Sequence, residues 1–225
     1  MKIGILQTGI AADALITKHG DYPDNFKTFL QNRGFEFEVY EVINNIFPDG
    51  INDCDGWLVT GSRHGAYEKH DWIPPLEKFI CDLYEADIPL IGVWFGHQRI
   101  AQALGGIVEK FKGGWTVGRQ VYESDNGNKI KLNAYHQDQV ISAPKCATKI
   151  SGNKNCKNAI ITYGQKAFTM QPHPEFSNTY IRELIDARGI GLIDDKILEN
   201  ARNNLMEDLD AKEIANQFEA FYKRV

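Results

Sequence analysis

One short segment, Ile91-Gly92-Val93-Trp94-Phe95-Gly96-His97-Gln98, frames the chemistry open to this chain. The apolar run from Ile88 to Val93 reads as a short buried strand, and a helical pattern follows from Gln98 to Leu104, closed by Gly105-Gly106. Glycines at 92 and 96 flank position 94, so the chain can turn sharply and push one side chain out at a strand-to-helix corner. This is the geometry of a nucleophile elbow, written Gly-x-Ser-x-Gly in hydrolases. Here the nucleophile's position holds Trp94. Indole donates one N–H, has no group that ionises near neutral pH, and cannot attack a carbonyl. A second corner, Thr60-Gly61-Ser62-Arg63-His64-Gly65, ends another apolar run. A strand ending in Gly-Ser presents backbone N–H groups at the carboxyl edge of a sheet, where ligands bind in open α/β folds. Taken alone it also reads as a plain glycine-rich turn.

Strands and helices must hold these corners. Lys2 to Gln7 reads as a strand, Asp24 to Arg33 as a helix ended by Gly34, Phe35 to Val42 as a second strand and Gly56 to Thr60 as a third. Trp72 to Ala86 carries a helical pattern with Pro74 and Pro75 near its start, where proline is tolerated. Strand, helix and strand in alternation with short connections imply right-handed crossovers and a mainly parallel sheet. After Gly106 the pattern changes to short strands at Gln120–Tyr122, Lys129–Leu132, Gln139–Ile141 and Ala159–Thr162, with Asp125-Asn126-Gly127-Asn128 as a turn signal. The expectation is an antiparallel β extension from about Gln120 to Thr162, packed against the first sheet. Ala167 to Gln171 returns to the core, and helices from about Asn178 finish the chain. The expected fold class is thus α/β, a single doubly wound domain over residues 1–225 with that extension.

With 225 residues, 43% hydrophobic and 24% charged, the chain can bury a sizeable core. Its net charge of −5 and scattered Lys and Arg give no electrostatic footprint for nucleic acid or an anionic membrane surface. No apolar stretch approaches the roughly 20 residues that span a bilayer, and Met1 to Leu6 is too short for a signal segment. Cys54, Cys81, Cys146 and Cys156 form no Cys-x-x-Cys pair, and none lies at zinc-ligand spacing with a histidine. Reduced structural thiols, a cytoplasmic protein and no metal or cofactor are expected.

The elbow resembles the Gly-x-Cys-x-Gly-His-Gln elbow of class I glutamine amidotransferases, with Trp94 in the cysteine's place. The Gly61-Ser62 turn, Tyr135-His136-Gln137-Asp138 and the late Gln171-Pro172-His173-Pro174-Glu175-Phe176 follow the same order as in that family. The resemblance covers nearly the whole chain. It is strongest to stand-alone bacterial proteins similar to the glutaminase domain of GMP synthase, a group that Trp72-Ile73-Pro74 and Lys112 to Gly118 also fit. It implies a flavodoxin-like sheet, His173 as the base that takes the thiol proton and returns it to the leaving group, and Glu175 as the carboxylate that orients the imidazole. The amides near Ser62 and of Phe95 become the oxyanion donors. Gln98 is either a contact to the substrate amide or a helix-start residue satisfying orphan amides. His136 either lines the pocket or supports its loop. The implied ligand is glutamine or a γ-glutamyl amide-like small molecule. A synthetase or regulatory protein is the implied partner, and an ammonia acceptor would lie outside this sequence.

With tryptophan at position 94, three readings follow. The chain is a pseudoenzyme, a glutaminase scaffold used for binding or regulation. Alternatively, it is an active family member carrying an inactivating Cys-to-Trp change, or His173 and Glu175 run acid–base chemistry without a covalent step. The four cysteines offer no replacement, since a thiolate must lie within hydrogen-bond reach of the base. Elbow nucleophiles commonly take positive φ, which costs a bulky residue on the order of 1–3 kcal/mol. Trp94, His173 and Glu175 are expected to converge at the carboxyl edge of the sheet beside Gly61, Ser62 and Phe95, with the indole in the substrate's space.

Overall fold

The structure, a computed structural model, describes residues 1–123 and 127–224. In chain order its elements are β1 (Lys2–Leu6), α1 (Asp13–His19), α2 (Tyr22–Phe29), β2 (Glu36–Tyr40), β3 (Gly56–Val59), α3 (Ile73–Glu85), β4 (Leu90–Val93) and α4 (Phe95–Ala103). Then come β5 (Ile107–Lys110), β6 (Thr116–Glu123), β7 (Lys129–His136), β8 (Asp138–Ser142), β9 (Lys149–Ser151), β10 (Ile160–Tyr163) and β11 (Ala167–Met170). The chain closes with α5 (Asn178–Leu184), a π turn over Ile185–Gly189, α6 (Asp195–Asn203) and α7 (Ala211–Lys223).

Seven strands form one sheet in the order β2-β1-β3-β4-β11-β10-β9. The first four junctions are parallel, and β11–β10 and β10–β9 are antiparallel. Strands β3, β4 and β11 are buried at every position, because helices cover both faces. Period-two alternation sorts their side chains between those faces. Trp57 and Val59 join Leu76, Ile80 and Leu83 of α3 and Ile100 of α4. On the opposite face Leu58, Ile91 and Val93 meet Phe26 of α2 and Ile214, Phe218 and Tyr222 of α7. The doubly wound α/β architecture follows from this layering. Among the described residues, no helix is long and apolar enough to cross a membrane.

The region after Gly106 differs from expectation in its partition. It starts earlier and splits three ways: β5 pairs with β8, β6 pairs with β7, and β9 and β10 extend the large sheet itself. Ile160 and Ile161 are buried, and β10 supplies the ladder partner that β11 would otherwise lack on its outer side. Of the expected turn, Asp125 and Asn126 lie outside the described residues. Helix α2 begins two residues before the expected start because Asp21 caps it. The Asp21 carboxylate accepts from the Tyr22 N–H at 2.8 Å, and Asp24 returns the contact to the Asp21 N–H at 3.0 Å. That cap also receives Gln7 Nε2 at 2.7 Å and the Ala11 N–H at 2.8 Å, which anchors Tyr22 beside the carboxyl ends of the strands.

Candidate active site

Trp94 is the single residue between β4 and α4, with φ 54° and ψ −106°. The corner is stitched to both neighbouring strands. The Trp94 N–H donates to the Met170 carbonyl at 2.8 Å, and the Gly96 N–H to the Thr60 carbonyl at 3.1 Å. Neither flanking glycine takes a positive φ. Close approach is what requires them: a Cβ on Gly96 would lie 2.2 Å from the Val59 carbonyl oxygen, and one on Gly92 would lie 2.7 Å from the Gly96 carbonyl carbon. The strain of the turn therefore falls on Trp94, while the glycines let α4 run against β3. Gly96→Ala is expected to destabilise the fold by roughly 1–3 kcal/mol or more, since rigid backbone stands in the way. Urea denaturation of the variant checks this, and a loss within about 0.5 kcal/mol, the scale of ordinary surface changes, would contradict it.

The half-buried indole fills the space in front of the Gly61-Ser62 turn. A Cβ on Gly61 would meet the indole Cε3 at 2.3 Å, so the ring rests directly on that glycine. Across it stands the His173 imidazole, with ring centroids 5.0 Å apart at 62°, and Tyr22 meets the indole edge-on at 6.3 Å.

His173 follows β11 and is fixed by an antiparallel bridge to β7, its N–H donating to the Asn133 carbonyl at 2.8 Å. Its Nδ1 lies 2.8 Å from Glu175 Oε1, and both side chains are only 1% exposed. A carboxylate oxygen accepts, so Nδ1 carries a proton and donates it to Glu175. Nε2 has no hydrogen-bond partner among the described residues. Phe176 stacks on the imidazole at 4.0 Å and 6°, and Tyr180 stacks on Phe176 at 4.0 Å. The result is an oriented imidazole with one nitrogen held by Glu175 and the other unpaired among the described residues.

The remaining residues singled out from sequence fall close by. Thr8 Oγ1 donates to the Thr60 and Gly61 carbonyls at 3.0 and 3.1 Å, and Ser62 Oγ accepts from the His64 N–H at 3.2 Å. Phe95 opens α4 and is fully buried, and its amide is one of the helix-start N–H groups without an intrahelical acceptor. Gln98 uses Nε2 inward, donating to the Asp138 carbonyl at 3.0 Å and to Gln171 Oε1 at 3.1 Å, so it ties the elbow helix to both flanking segments. His136 ends β7 with 1% exposure, and the expected His-Gln-Asp loop is a junction between two strands. Burial, reinforced by the nearby His173 and His97, pushes its pKa down to about 3, so the ring is neutral.

Several positioning groups had no role assigned from the sequence, although His97 lies within the elbow motif. His97 is fully buried with Nδ1 2.8 Å from Thr169 Oγ1, and burial lowers its pKa to about 3. Thr169 donates to the Ile161 carbonyl at 3.2 Å, which leaves its oxygen to accept from a His97 Nδ1–H. Asn133 and Tyr22 reach the site only through pairing and capping across the chain. Arg188, on the π turn, lies close enough to Tyr22, Tyr135 and Tyr180 for its charge to favour their ionised forms, although burial raises all three phenol pKa values.

The chain has relatives among known proteins. Residues 19–187 match the family model described as glutamine amidotransferase class-I. Gamma-glutamyl peptidase 3 of Arabidopsis thaliana is 25% identical over 205 residues, covering 83% of this chain and 82% of that one. A probable GMP synthase (glutamine-hydrolysing) of Leptospira interrogans is 29% identical over 171 residues, which are 71% of this chain and 28% of that longer protein. In fold, the chain matches a glutamine amido transferase from Methylobacillus flagellatus at a TM-score of 0.78 and 19% identity, covering 100% of this chain and 94% of the other.

Proposed function

Because the chain belongs to the class I glutamine amidotransferase family, we propose that residues 1–225 are one domain of that type in which Trp94 has replaced the nucleophile. Glutaminase and γ-glutamyl amide hydrolysis through a thioester are then absent, and the site binds or regulates. The observation that carries this reading is the seating of the indole between Gly61 and His173. It occupies the space where a substrate carbonyl would meet the oxyanion donors, and it brings no group that His173 can deprotonate. Without a covalent step, an oxyanion hole and binding leave at most roughly 10³–10⁴ over water, far below the rate of a working triad. The ligand class for the pocket is a glutamine-like or γ-glutamyl small molecule, and the partner class is a synthetase or regulatory protein.

Purified protein incubated with glutamine, and separately with a γ-glutamyl anilide, is expected to release no ammonia or aniline above a His173→Ala control. Turnover at ordinary enzymatic rates that disappears in His173→Ala would overturn the proposal. A second reading, that tryptophan is an inactivating replacement in an otherwise competent enzyme, is favoured by two observations. The elbow still holds the strained φ of 54°, and the His173–Glu175 pair is intact.

A further inference from the structure

We infer that the loop after the Gly61-Ser62 turn is a binding site for a divalent transition-metal ion, with Zn2+ as the best-matched probe, held by His64, Glu68 and His70. The cysteines offer no zinc-ligand spacing, and these three ligands come together only when the loop folds. Glu68 Oε2 receives both rings, His64 through Nδ1 at 3.0 Å and His70 through Nε2 at 2.8 Å. The three ligand atoms all lie within 4.8 Å of one another. Zinc bonds of about 2.0–2.1 Å in tetrahedral geometry place ligand atoms roughly 3.3 Å apart. The two nitrogen–oxygen distances therefore need to open by only a few tenths of an ångström to seat an ion between the rings and the carboxylate. Two imidazoles and one carboxylate make a mixed set that suits zinc, and the fourth position is left to water.

The surroundings hold the ligands as outer-shell groups hold them in metal sites. The other carboxylate oxygen of Glu68 accepts from the Gly65 N–H at 3.0 Å, which aims Oε2 at the histidines. Trp72 stacks under His70 at 5.7 Å and 13°, and it meets His64 at 6.2 Å. The side chains are 23%, 42% and 30% exposed for His64, Glu68 and His70, so an ion can enter from solvent. Through the His64 N–H on Ser62 Oγ, an ion here would stiffen the turn against which the Trp94 indole rests.

The test is titration of the metal-stripped full chain with Zn2+ by calorimetry and with Co2+ by visible absorption, against Glu68→Gln and the His64→Ala/His70→Ala double variant. The expected result is saturable binding of one ion, a tetrahedral Co2+ spectrum, and affinity at least 10-fold lower in both variants, each with the parent's far-UV circular dichroism. An absence of saturable Zn2+ binding in the parent would overturn the inference. So would affinity undiminished in the double variant, which would place the ion elsewhere. Because these readouts do not involve turnover, they are independent of the proposed function.

Discussion

Replacing Trp94 with cysteine is expected to convert the elbow into a reactive site. The new thiol would stand where the indole now faces His173, whose Nε2 has no partner and whose Nδ1 is already held by Glu175. A neighbouring histidine lowers a thiol pKa from about 8.5 into the range of about 3.5–7.5. Alkylation by iodoacetamide at neutral pH should therefore run on the order of 10-fold or more faster than that of an unperturbed thiol. Hydrolysis of a γ-glutamyl anilide should appear at several orders of magnitude above the parent, because loss of a triad nucleophile costs on the order of 10⁶ in turnover in a well-studied protease. Removing the indole also uncovers Gly61 and opens room for an amide side chain. Cysteine keeps a Cβ, so the strain at φ 54° remains, and the lost packing should cost less than the roughly 3–5 kcal/mol of a fully buried tryptophan, since this one is half-buried. Appearance of His173-dependent hydrolysis would select the inactivated-enzyme reading. A thiol no faster than a free one, with no hydrolysis, would mean that the pocket has drifted into a binding role.

Acid should destabilise the fold well before carboxylates matter. His97 and His136 are buried neutral, each with a folded pKa near 3 against 6.5 unfolded. Between those values the unfolded chain binds protons that the folded one refuses, so stability rises with pH across the window. The contribution is fully present above about 6.5 and is lost as pH falls below it. With two such groups, moving from pH 7.5 to pH 5 should remove about 4 kcal/mol, at 1.36 kcal/mol per pH unit for each fully displaced histidine. Glu68, whose pKa is lowered to about 2, acts in a separate window, with stability present above 4.5 and lost only as pH falls below that. Guanidinium unfolding at pH 7.5 and pH 5 measures the first effect, and histidine ring NMR in the folded state assigns it. Either ring titrating near 6.5 in the native protein would refute the account.

Much of the frame is legible in the residues themselves. Buried parallel strands must be apolar throughout, so Gly56–Val59, Leu90–Val93 and Ala167–Met170 are visible as runs. Glycines at 92 and 96 mark an elbow because no other residue fits there, although the reason proved to be backbone contact and not φ. His173 and Glu175 are two positions apart, and a local turn alone can pair them. What escaped the sequence depends on strand order and pairing. The indole of residue 94 lies on Gly61 because β3 and β4 are neighbours. Asn133 holds His173 because β7 passes beside the segment after β11. Gln98 turns inward because Gln171 and the Asp138 carbonyl come within reach of α4. The histidines at 97 and 136 are neutral because the layers close over them, and His64, Glu68 and His70 converge because one loop folds back on Trp72. Hydrophobic period and steric need are written locally, whereas desolvation and side-chain convergence arise only when segments distant in the chain share the same few ångströms.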